Sequence, residues 1–103
     1  WDGNPASLKP ARDADLAAEI TRLAGGAPAL SFRARELSES GNHRLACHLV
    51  EIAVQASPDS KAVHRARAAI YKARRNDELS LMAKGIYGAA AAESAALGER
   101  DED

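Results

Sequence analysis

The stretch Gly41–Ser60 reads GNHRLACHLVEIAVQASPDS, and its punctuation decides the fold. Gly41 permits a tight turn, and Asn42 can cap the helix that follows. Leu45, Leu49, Ile52 and Ala56 recur at helical spacing over the next four turns. Ser57-Pro58-Asp59 then stops the helix, with Asp59 or Ser60 available to cap another. Ala46 and Ala53 are small where a neighbouring helix would cross. The stretch therefore predicts one arm of a helical hairpin, with Leu30–Ser40 as the arm before it and the helix from Lys61 opening the next pair.

The order Gly41, Ala46, Ala53, Pro58 resembles the second helix of a tetratricopeptide repeat. One such hairpin cannot bury its own apolar face, and stable stacks need about three. Here there is one hairpin and part of another, so the flanking helices or a second subunit must cover what remains.

Working outward, Leu16, Ile20 and Leu23 predict a helix over about Arg12–Ala24, stopped by Gly25-Gly26. Pro28 suits the first turn of the next helix, whose face carries Leu30, Ala34 and Leu37. After Lys61 a fourth helix carries Ala62, Ala66, Ala69, Ile70 and Ala73, up to a polar joint at Arg75-Asn76-Asp77. A fifth is expected from about Glu78, with Leu79, Met82, Ile86 and Ala90 on one face. No segment alternates with period two, so the fold class is all-α, about five helices in tetratricopeptide-like hairpins.

Composition agrees. The chain has 103 residues, 46% hydrophobic and 28% charged, with only 4% aromatic. Much of the apolar content is Ala, the best helix former. An Ala-rich core buries little area per residue, which favours a domain that gains stability from a partner surface. The net charge of −1 gives no global attraction to nucleic acid or an anionic membrane. A single cysteine, Cys47, leaves no internal disulfide framework. No apolar run approaches the length needed to span a bilayer. The chain begins with Trp1, as an excised piece of a longer protein would, so its localisation is not legible.

The opening WDGNPASLKP, the Gly25-Gly26 pair, the Gly41–Pro58 hairpin and the late SLMAKGIYGAAAAES together resemble the alkyl sulfatase dimerisation domain, over roughly residues 1–98. The hairpin differs from the family's usual aromatic pattern, with His43-Arg44-Leu45-Ala46 where Tyr-Arg-Trp-Ala is frequent. The resemblance implies an α-helical, non-catalytic domain that pairs two subunits of a metallo-β-lactamase-fold, sulfatase-like hydrolase. It implies that zinc and the chemistry reside in a catalytic domain upstream, since no His-x-His-x-Asp-His motif occurs in this chain. It divides the chain into a connector at residues 1–10, a dimerisation domain at 11–98 and a charged tail at 99–103. The expected partners are a second copy and the chain's own catalytic domain, with no nucleic acid and no membrane. The alternative is a peptide-binding repeat module.

The candidate interface is Phe32, Leu45, Leu49, Met82, Ile86 and Tyr87, and the candidate interdomain connector is Trp1, Asp2, Gly3, Asn4 and Pro5. Ala89–Ala92, with Ala95 and Ala96, could form a close helix contact or simply reflect helix propensity. His43, Cys47, His48 and His64 have the spacing of two or three zinc ligands, but a structural site needs four. Cys47 beside His43 or His48 could be a nucleophile with its base, though no orienting third group is visible, and a small buried hydrophobe is the simpler reading. Lys61, Arg65, Arg67, Lys72, Arg74 and Arg75 make the fourth helix basic. That pattern suits phosphate contacts or, more simply, a solvated face or one turned to acidic residues.

Overall fold

A computed structural model describes residues 3–77 and 81–99 of the chain. A single 3-10 turn, Pro5–Leu8, precedes five helices: α1 (Asp13–Leu23), α2 (Ala27–Glu39), α3 (His43–Ala56), α4 (Lys61–Asp77) and α5 (Leu81–Glu99). The described residues contain no strand. The all-α reading and the number of helices agree with the sequence.

The helix ends follow local chemistry. At the α2–α3 turn, Gly41 takes φ +92°, a left-handed conformation that a Cβ would strain. Its N–H bonds Ser38 O at 3.0 Å and the N–H of Asn42 bonds Leu37 O at 2.8 Å, closing the last carbonyls of α2. Asn42 then turns its side chain to the next helix, where Oδ1 accepts from Leu45 N at 3.4 Å. The α1–α2 turn repeats the arrangement, with Gly25 N–H on Arg22 O and Gly26 N–H on Thr21 O. Ser60 is the cap used by α4, its Oγ accepting from Val63 N at 3.3 Å. The polar joint expected at Arg75–Asp77 is instead the last turn of α4, because all three residues continue the helix. The expected start of α5 at Glu78-Leu79 and most of the charged tail lie outside the described residues.

Helices α2 and α3 fold back on each other, and α4 and α5 form the other extensive pair. α4 also packs on α2 and α3, while α1 rests mainly on α3. The body measures 38 × 38 × 22 Å, so it is two helix layers thick, each about 10 Å. Its radius of gyration of 14.5 Å exceeds the about 13 Å of a spherical domain of this length. A slab leaves every helix with an outer face.

The core is built from small residues. Ala34, Ala46, Val50 and Ala66 meet Leu37, Ile70 and Tyr71 in one cluster; Ala27, Leu30, Ala53 and Val63 form a second. Leu49 packs against both. The apolar faces read from the larger residues are rotated in two helices. In α1, Ala17 and Thr21 are buried, while Leu16 and Leu23 are 54% and 81% exposed. In α3 the buried stripe is Ala46, Val50 and Ala53, with Leu45 exposed. Close approach of helix axes explains both: a small residue at the crossing lets backbones meet, and a leucine there would hold them apart.

Enlarging a small buried residue where helices meet should be costly. Ala34→Leu, at a fully buried position between α2 and its neighbours, is expected to destabilise the fold by about 1–3 kcal/mol. Leu16→Ala should change stability by no more than about 0.5 kcal/mol, since Leu16 faces solvent. Thermal melts of the two variants check, in turn, the small-residue packing at α2 and the rotated face of α1.

Candidate functional site

Behind α5 lies a polar network that fixes where the helix sits. Arg67 of α4, with its side chain only 14% exposed, donates from Nε to Glu51 Oε2 on α3 at 2.7 Å. Its Nη1 donates to Ser94 Oγ at 2.8 Å and to Ala90 O at 3.2 Å, both on α5. Glu93 Oε1 approaches the same nitrogen at 3.5 Å. Tyr71 donates its hydroxyl to Glu51 Oε2 at 2.7 Å, and its ring lies under the Arg67 guanidinium.

The fully buried Ser94 continues the network to His64, whose Nδ1 lies 3.0 Å from Ser94 Oγ. His64 Nε2 is 2.7 Å from Pro58 O. A carbonyl can only accept, so Nε2 carries the hydrogen of a neutral His64 and Nδ1 accepts from Ser94. Ser94 thus donates to His64 while it accepts from Arg67, so one hydroxyl of α5 engages two side chains of α4, and His64 carries the network on to the α3–α4 loop at Pro58.

Burial raises the pKa of the Tyr71 hydroxyl above its ordinary value, and the hydrogen bond and negative charge of Glu51 push the same way. Tyr71 stacks on Tyr87 of α5 with centroids 5.9 Å apart, and Arg74 lies 4.5 Å over the Tyr87 ring. Arg74 is raised above its usual range, chiefly by a hydrogen bond with Cys47. Towards its C-terminus α5 comes very close to α4. A Cβ on Gly98 would stand 3.1 Å from Arg65 Cγ and 3.3 Å from Arg65 N. None of Glu51, Ser94 and Gly98 was singled out by sequence pattern. A serine and a glycine inside an Ala-rich helix are the signals that point to a polar and a close contact.

The sequence-based zinc candidates do not converge. His43 Nε2 meets Asp77 Oδ2 at 2.6 Å, His64 serves the network, Cys47 is buried in the core and His48 is exposed. Among the described residues no group of three or more His, Cys, Asp or Glu side chains is arranged to hold a metal ion. Cys47 shares an open cleft of about 390 Å³ with Arg44, His48, Glu51, Tyr71, Arg74 and Tyr87. The basic residues of α4 do not form one stripe, because Arg67 turns to Glu51 of α3 and over Tyr71 of α4 itself, and Arg74 turns over Tyr87 of α5.

Of the candidate interface, Phe32, Leu45, Met82 and Ile86 are exposed, by 65%, 43%, 77% and 62%. Leu49 and Tyr87 are half-buried and packed on the core. In α5, Ala90 and Ala91 pack inward, whereas Ala89, Ala92 and Ala96 face out. Among the connector residues, Gly3, Asn4 and Pro5 are exposed, and Asn4 Oδ1 caps the 3-10 turn at Ala6 N, 3.0 Å away. Trp1 and Asp2 lie outside the described residues. No described helix is long and apolar enough to cross a membrane.

Much of this chain's polar chemistry joins one helix to another, and several large apolar side chains face outward, which makes it a small all-α module with apolar side chains open to a further surface. The model of the alkyl sulfatase dimerisation family matches residues 1–96, and the chain belongs to that family. Membership implies self-association. No curated protein matches the chain. No solved structure matches it either.

Two outcomes follow from the network. Ser94→Ala, which removes the acceptor for Arg67 and the donor for His64, should cost about 1–3 kcal/mol in a denaturant titration. The raised Tyr71 pKa stabilises the fold fully below about pH 10, the unfolded tyrosine value, and that stability is lost as pH rises through the folded value. In a Tyr87→Phe background, tyrosinate absorbance of the folded protein should therefore appear only above the ordinary tyrosine range.

Proposed function

We propose that this chain pairs two subunits of a metallo-β-lactamase-fold, alkyl-sulfatase-like hydrolase, and that it is not catalytic alone. The family match over residues 1–96 carries the reading. The outward Phe32, Leu45, Met82 and Ile86 support it, since large exposed apolar side chains suit contact with another surface. In this reading zinc and the hydrolytic groups belong to the catalytic domain, and the exposed lead-in at Gly3–Pro5 connects to it. The paired helices α2–α3 and α4–α5, with α4 also against α2, suit a short tetratricopeptide-like stack whose cover is supplied by the second copy.

Light scattering of the 103-residue chain over a dilution series tests the pairing role. The expected result is a dimer that dissociates to monomer only on dilution. A monomer at every concentration would remove the support for pairing through these residues.

A further inference from the structure

The two ends of the stack are finished differently. α1 lies at one end and exposes Asp13, Asp15, Glu19 and Arg22 among its leucines, as a capping helix should. α5 lies at the other and, among the described residues, packs on α4 alone. Its exposed residues between Met82 and Ala96 are Met82, Gly85, Ile86, Ala89, Ala92, Glu93 and Ala96. Glu93 is the one charge among them, and it leans back toward Arg67. A solvated helix face is ordinarily polar. This one combines two large exposed side chains with a run of small ones, spaced three and four residues apart as in a coiled-coil seam. Beside it, Ala68, Ala69, Lys72, Ala91, Ala92 and Ala95 line an open, largely apolar groove of about 270 Å³ between α4 and α5.

We infer that this face of α5 is covered by the same face of a second copy, the two helices running antiparallel about a two-fold axis beside Ala89. The inference rests on the pairing role proposed above and specifies its surface. The register follows from symmetry. Met82 and Ile86 lie seven and three residues before Ala89, and Ala96 and Ala92 lie seven and three after it. Antiparallel pairing sets each large side chain against a small one of the other copy, with Ile86 beside the alanine groove. Glu93, four after Ala89, falls opposite Gly85, four before it, where a Cβ would find nothing within 4 Å. The only charge of the face thus meets a position that carries no side chain. The contact is isologous and closes at two copies. With small residues at the crossing, the axes approach to about 8 Å over the 28 Å or so of the helix. The flanking groove on α4 widens the contact toward the about 800 Å² per partner of a stable interface.

The test uses single cysteines in a Cys47→Ala background of the whole chain, in a glutathione redox buffer. Ala89→Cys places two thiols across the axis within disulfide reach and should give a covalent dimer on a non-reducing gel. Ala14→Cys, on the exposed face of α1, should not. Ile86→Glu should weaken self-association at least 100-fold with unchanged helical circular dichroism. A dimer that neither cross-links at Ala89→Cys nor weakens at Ile86→Glu overturns this surface and leaves the pairing role standing. A disulfide only in mixtures of the Ala14→Cys and Ala89→Cys chains overturns the two-fold axis in favour of head-to-tail stacking. An unmutated chain monomeric at every concentration overturns both readings.

Discussion

The guanidinium of Arg67 holds the second half of this structure to the first. It is reached from α3 by Glu51 and from α5 by Ser94 and the Ala90 carbonyl, and it sits on α4 between them. An arginine this far out of water is stable only when its donors are matched, and the fork geometry of the group allows several partners at once. Its placement depends on small residues around it. Ala66, Ala90 and Ala91 let α4 and α5 approach, and the approach brings Ser94 within reach of both Arg67 and His64. Polar joining therefore compensates for what an alanine core lacks in buried area.

The helices themselves were legible because glycine, proline and capping side chains act locally. Gly25-Gly26, Gly41-Asn42 and Ser60 do in the structure what their chemistry predicts. The inward faces were less legible. Ala46 and Ala53, read from the repeat-like spacing as the crossing residues of α3, are fully buried. Hydrophobic spacing, however, draws the eye to Leu16, Leu23 and Leu45, while α1 turns inward the small Ala17, which carries no periodic signal in a chain full of alanine. The joint at Arg75–Asp77 read as a break because its residues are polar, but polar residues complete the end of a helix as readily as they interrupt one.

The polar network was the least legible part. Glu51, Arg67, Tyr71, His64 and Ser94 are separated by up to 43 positions in the chain and share no spacing rule. A basic helix read alone suggests a charged surface; only the fold shows that Arg67 and Arg74 lie against aromatic rings from α4 and α5. Cys47 and His43 likewise take their roles from what the hairpin brings beside them, the core in one case and Asp77 in the other. Family membership is different in kind, since it rests on the whole stretch of residues 1–96 and not on any cluster.

That α5, among the described residues, packs only on α4 has a consequence for how the molecule opens. A helix held along one side only can part from the other four while they keep their own core, once its single broad contact and the Arg67–Ser94 hydrogen bond are broken together. Amide hydrogens of α5 would then exchange together, ahead of those of α3, which three helices enclose. Anything that lies against α5 closes that opening by mass action, so the local rigidity of this helix becomes a measure of how much of the chain is engaged.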